Sequence, residues 1–121
     1  MIHWPGVKPF HWNEIPAEPM NEKLTRQVVH TQRLTLARLE LKAGCVVPAH
    51  QHENEQVSMV LSGRLRFRLE GGAYDVGPGE VMRLAPHERH EVEVLEDSVV
   101  IDLFSPPRED WKRGEDAYLR R

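Results

Sequence analysis

Cysteine is nearly absent from this 121-residue chain, with Cys45 the only one. A lone cysteine excludes an internal disulfide framework and fits a reducing compartment. It lies in the apolar run "CVVP", which points to a small buried thiol. No apolar stretch approaches the ~20 residues of a membrane span, so no membrane partner is expected. The opening "MIHWPGVKPFHW" lacks a basic start followed by an apolar core, so no leader is expected and the protein is read as cytoplasmic. Charge of one sign is missing as well. Lys+Arg number 16 against 19 Asp+Glu, a formal net charge of −3, which supplies no electrostatic reason for a nucleic-acid partner. The one basic run, "RLRFR" at Arg64–Arg68, alternates with apolar residues and reads as the wet face of a strand. Repeats, low-complexity tracts and linkers are absent, and the length supports a single domain.

Nine prolines and eight glycines punctuate the chain, which suits many short strands better than a few long helices. Residues 1–22 read as an extended N-terminal arm, anchored by Trp4 and Trp12. Short β-like runs follow from residue 23. "LTRQVVH" and "RLTLARLELKAG" alternate, the second placing Thr35, Ala37, Leu39 and Leu41 on one face. Further strands are expected at Gln56–Leu61, in "RLRFRLE" after a turn at Ser62-Gly63, and after the Gly71-Gly72 hairpin signal. "VMRLA", "HEVEVLE" and "SVVIDLFS" complete the set. Eight or nine short strands with frequent turns indicate an all-β antiparallel sandwich or barrel over residues 23–107. Residues 108–121 read as a C-terminal tail or short helix, with Glu109 and Asp110 suited to its first turn.

The stretch "GCVVPAHQHENEQVSMVLSG" carries the chemistry. His50, His52 and Gln56 share parity, so an extended backbone would direct all three to one face. His90 follows in "GEVMRLAPHERH", after a turn at Pro86-His87. Three imidazoles with an amide oxygen form a donor set for a divalent metal such as zinc, nickel, iron, copper or manganese. In "SVVIDLFSPPREDW", Val100, Asp102 and Phe104 share a face. If that face is the inner one, Asp102 is a carboxyl held in a poorly solvated cavity and a proton-transfer candidate. Arg108 could grip a substrate carboxylate in a two-pronged contact.

The spacing Gly44-x5-His50-x-His52-x3-Gln56-x6-Gly63 resembles the first cupin motif, with glutamine where glutamate is usual, and "GPGEVMRLAPHERH" resembles the second. His87 replaces the usual glycine or asparagine at the turn and tolerates positive φ. The pieces "HxHxxEQ", "VLSG" and "VVIDLFSPPREDW" further resemble the KdgF group of cupins. That resemblance implies a single-domain jelly-roll β-barrel with metal ligands His50, His52, Gln56 and His90. It also implies catalytic roles for Asp102 and Phe104 and substrate binding by Arg108. The implied activity is conversion of cyclic 4,5-unsaturated monouronates, anionic small-molecule sugars from pectin or alginate breakdown, to the linear keto acid. A homodimer is expected, paired through the arm and the strand Leu24–His30, whose bare edge would otherwise need protection. Two other readings remain compatible with these residues: an iron-dependent dioxygenase and a non-catalytic sugar-binding module.

Overall fold

A computed structural model describes residues 6–121 and the backbone of the two-residue strand Ile2–His3. Among the described residues there are nine strands: β1 (Ile2–His3), β2 (Glu18–Asn21), β3 (Leu24–His30), β4 (Thr35–Leu41), β5 (Val46–His50), β6 (Glu55–Leu69), β7 (Gly72–Val76), β8 (Val81–Leu84) and β9 (His90–Ser105). The sheet runs β1-β3-β4-β9-β6-β7, with β2 on β3, β5 on β9 and β8 on β6. Every pairing is antiparallel except β1 with β3. This is the all-β jelly roll that the strand count and motifs led us to expect. No helix of the described residues is long and apolar enough to cross a membrane.

Two strands are much longer than expected. Residues 55–69 form one strand of 15 residues and residues 90–105 one of 16, where short pairs separated by turns were anticipated. The reason is a bulge. Along β9 the inward residues are even-numbered throughout, from His90, Val92 and Val94 to Val100, Asp102 and Phe104. On β6 the inward set is Gln56, Ser58 and Val60, then switches to Leu65 and Phe67. Pairing slips between Val60 and Leu65, from Val60↔Val100 to Leu65↔Val94. From Val60 to Leu65 is five residues along β6, against six along β9 from Val100 to Val94, so β6 changes parity without ending and both halves keep an apolar face inside.

Gly63 makes that slip possible. Its φ is +87°, and a Cβ there would lie 2.6 Å from Ser98 Cα and against the Asp97 carbonyl oxygen. Around the bulge the core is filled by Val28, Ala37, Leu39, Leu65, Phe67, Val100 and Phe104, each large side chain contributing about 2–3 kcal/mol of burial. Cys45 is buried and free, as its apolar surroundings suggested.

The N-terminal segment joins the sheet. Gln27 on β3 donates to the carbonyls of Trp12 (2.8 Å) and Ile15 (2.9 Å), and Ile15 is buried. Backbone bonds and an isoleucine hold the segment, while Trp12 is only half-buried and Trp4 lies outside the described residues. With β1 and β2 both laid along it, β3 offers no bare edge, so the edge argument for pairing across a two-fold axis does not apply. At the other end the expected helix shrinks to α1 (Glu109–Lys112), followed by a 3-10 turn at Ala117–Leu119. Gly114, with φ +77°, separates them.

Gly63→Ala is expected to destabilise the protein by about 2–5 kcal/mol, combining ~1–2 kcal/mol for a left-handed backbone with ~1–3 kcal/mol for overpacking. Urea unfolding reads this as a lower midpoint at unchanged m-value. An unchanged midpoint would mean that the bulge accepts a side chain.

Candidate metal centre

The three histidines meet because β5 and β9 pair. His50 ends β5 directly opposite His90, which opens β9. His52 is not on that strand. β5 stops at His50, residues 51–54 form a loop and β6 begins at Glu55, so His50, His52 and Gln56 do not share one strand face as their parity suggested. The loop is pinned at two points. His87, at φ 63° in the turn of the second motif, donates its N–H to the His52 carbonyl at 2.7 Å. Buried Asn54 donates its amide to the carbonyls of Pro106 and Pro107. The ligand-capable atoms of His50, His52 and His90 lie within 4.8 Å of one another and could hold a metal ion.

Each ring is held by its Nδ1. His50 bonds the Pro48 carbonyl at 2.8 Å, His52 that of Asn54 at 3.0 Å and His90 that of Glu88 at 2.8 Å. A carbonyl only accepts, so each Nδ1 carries the proton and each Nε2 keeps its lone pair. Burial, the dominant cause, drives His50 down to about 3 and His52 to about 4, and lowers His90 as well. Arg108 adds to the fall in all three, against the opposing carbonyl bonds. At neutral pH the rings are therefore uncharged and need lose no proton to bind a cation. The bare Nε2 of His52 faces Gln56 Oε1 at 3.0 Å. Two acceptors with no proton between them repel, and a cation satisfies both. The donor set thus fits a divalent metal.

Asp102 and Phe104 share one face of β9, as their parity indicated, and that face is the inner one. Ser58 Oγ donates to Asp102 Oδ1 at 2.6 Å, and Gln56 Nε2 donates to Ser58 Oγ at 3.0 Å. Desolvation raises the Asp102 carboxyl to about 6, with the Ser58 bond and Arg108 pulling the other way. Phe104 packs edge-on to His52 at 5.7 Å. Arg108 is buried under α1, its guanidinium 4.7 Å from the Phe104 ring centre and 4.3 Å from that of Trp111. Its two-pronged contact is already made: Nε and Nη2 bond the carboxylate of Asp110 at 3.0 and 2.8 Å, and Nη2 also bonds Tyr118 Oη at 2.8 Å.

A cavity of about 50 Å³, lined by His50, Gln56, Ser58, His90, Asp102, Phe104, Arg108 and Tyr118 among others, joins these groups. The sequence reading missed Ser58, Trp111 and Tyr118. Ser58 carried a signal, since it shares the inward parity of Gln56. Tyr118 carried none: it reaches His50, ring centres 4.5 Å apart, only because the C-terminal segment folds back. Asn21 holds that segment through the carbonyls of Leu119 and Arg121, and buried Arg26 through Asp116 at 2.8 Å.

The Cupin domain profile matches residues 37–104, from β4 through β9. The chain belongs to the cupin family. This cupin is 34% identical to KdgF from Halomonas sp., with a TM-score of 0.78 over 84% of this chain and 97% of that one. It is 28% identical over 102 residues to the pectin degradation protein KdgF of Dickeya dadantii (strain 3937), spanning 82% of this chain and 93% of the relative. An RmlC-like cupin from Shewanella frigidimarina is 25% identical, with a TM-score of 0.79 over 88% of this chain and 96% of that one.

The raised Asp102 carboxyl sets a pH signature for the metal-free cupin. Between about pH 4, where an unfolded aspartate ionises, and about 6, the folded carboxyl still holds its proton. The folded state then binds more protons, so this group's contribution falls as pH rises through that window. Asp102→Asn removes the penalty and keeps an acceptor for Ser58. The variant is expected to match wild type near pH 4 and to exceed it by on the order of 2–3 kcal/mol at pH 7–8. Urea unfolding of both chelated proteins across pH checks this. Their difference isolates Asp102 from the histidines, whose depressed values cost stability as pH falls below about 6.5.

Proposed function

We propose that this cupin is a metal-dependent enzyme that opens 4,5-unsaturated monouronates from pectin or alginate breakdown to the linear keto acid. The observation that carries the reading is one cavity wall shared by the neutral, metal-ready His50 and His90 and a buried carboxyl poised near neutrality. Similarity to the two KdgF proteins, one of them a pectin degradation protein, supports it. His50, His52, His90 and Gln56 are the proposed ligands of one divalent ion, be it zinc, nickel, iron, copper or manganese. Bound there, the ion would supply a Lewis acid for the sugar oxygens, undiminished by ligand charge because all four donors are neutral.

The chain's own residues then have a proton to move. Asp102 takes the proton of the hemiacetal hydroxyl as the bond from C1 to the ring oxygen breaks, leaving an aldehyde at C1 and an enolate across C4 and C5. The same carboxyl returns the proton to C4, which makes C5 a ketone. One proton leaves and one comes back, so the reaction is an isomerisation without oxidant or reductant. A carboxyl near 6 is matched to both directions of that transfer at neutral pH. Phe104 covers the sugar ring and excludes water. Arg108, its fork committed to Asp110, meets the substrate carboxylate through the remaining Nη1 in a single contact. The cavity of about 50 Å³ has room for a few waters, less than a sugar occupies. Tyr118, lying against His50, must swing aside to admit the ring.

The test supplies an unsaturated monouronate freshly released by a lyase and follows loss of the alkene's ultraviolet absorbance under nitrogen. Metal-loaded wild type is expected to accelerate that loss, and Asp102→Ala to lower the rate by about 10²–10⁴-fold. No acceleration over the spontaneous reaction would sink the proposal, and a requirement for oxygen would favour a dioxygenase instead.

A further inference from the structure

Gln56 is an amide with two chemically different ends, and only one of them can bind a cation. Nothing in its own side chain decides which end faces the histidines. The decision comes from the neighbouring strand. Ser58 is inward on β6, two residues along from Gln56, and pairs across the sheet with Asp102 on β9. Ser58 Oγ has a single proton, which it donates to Asp102 Oδ1 at 2.6 Å. Having spent that proton, the hydroxyl can only accept from the other side. Gln56 therefore turns its nitrogen to Ser58, at 3.0 Å, and its oxygen to His52 Nε2, at 3.0 Å. All four groups are buried, so no solvent competes for these bonds.

The geometry points to Ser58 and Asp102 as a positioning relay that presents the oxygen of Gln56 to the metal and makes glutamine, rather than glutamate, the side chain that this site accepts at position 56. The inference rests on the metal-site reading above. A carboxylate at position 56 would bring a second acceptor to Ser58, whose one proton Asp102 already holds. Two carboxylates would then share one hydroxyl in a buried setting. Exchanging Asp102 for asparagine supplies a donor at the far end. The amide so introduced could donate to Ser58, and Ser58 could donate to a carboxylate at position 56, so the relay runs backwards. Asp102→Asn alone keeps a side-chain oxygen able to accept from Ser58, so the forward direction survives.

Zinc affinity, measured by competition with a chromogenic chelator at pH 7.5, tests this without reference to turnover. The set is wild type, Ser58→Ala, Gln56→Glu, Asp102→Asn and Gln56→Glu/Asp102→Asn, each confirmed folded by its melting transition in chelator. Ser58→Ala is expected to weaken zinc binding by about 10–100-fold, the usual cost of losing a group that orients a ligand. The double variant is expected to bind zinc at least tenfold more tightly than Gln56→Glu alone. Charge by itself demands the opposite order, because Gln56→Glu carries one more negative charge than the double variant, and a merely structural role for Ser58 predicts additive changes. Wild-type affinity in Ser58→Ala, or Gln56→Glu binding as tightly as the double variant, overturns the relay. A wild type that binds zinc but consumes no uronate overturns the proposed activity and leaves the relay standing. A wild type that binds no zinc overturns both.

Discussion

The antiparallel pairing of β6 with β9 is the constraint on which the rest of the molecule depends. β9 keeps one parity along its whole length, so His90 at its start and Asp102 and Phe104 near its end all face the interior. β6 runs beside it and brings Gln56 opposite Phe104 and Ser58 opposite Asp102. A one-residue slip of the whole pairing would turn every one of these groups to the outside. The bulge at Gly63 confines the slip to the middle of β6, where it lets the far half of the strand bury Leu65 and Phe67 instead. Core and site are thus two ends of one ladder.

Electrostatics in the interior follow from that placement. The histidines are kept neutral chiefly by burial, and burial also lifts Asp102 toward neutrality. Beside them lie two fully buried guanidiniums, and the protein meets their cost in the same way twice. Arg108 is bonded to Asp110 and lies over Phe104 and Trp111. Arg26 is bonded to Asp116 and lies 4.6 Å from the same indole. Each cation combines a carboxylate with an aromatic face, the pairing that makes burial of charge tolerable. Because Asp116 comes from the C-terminal segment, Arg26 on β3 also ties that segment to the sheet.

Much of this was legible in the residues. Alternation in "RLTLARLEL" and "SVVIDLFS" located β4 and the far half of β9, and put Asp102 and Phe104 on one shared face. The spacing of His50, His52, Gln56 and His90 marked a candidate donor set, and the three histidines do meet. Parity misled at His52, because a period of two holds only while the backbone stays extended, and here the chain leaves the strand at residue 51. It misled again at Ser62-Gly63, where a glycine that looked like a turn is a bulge inside a continuous strand. The arginine expected to be open for an anion is held instead by Asp110, two residues further along.

Local pattern and spacing therefore determined the fold class, which residues of a strand share a face and which side chains are candidate metal donors. These are properties of a few neighbouring residues and a fixed side-chain period. Tertiary structure alone decided which end of the Gln56 amide faces the histidines, what Arg108 binds and that Tyr118 lines the cavity against His50. Each of those depends on hydrogen bonds or contacts with a partner on another strand or in the folded-back tail, and such partners acquire their distances only when the sheet closes.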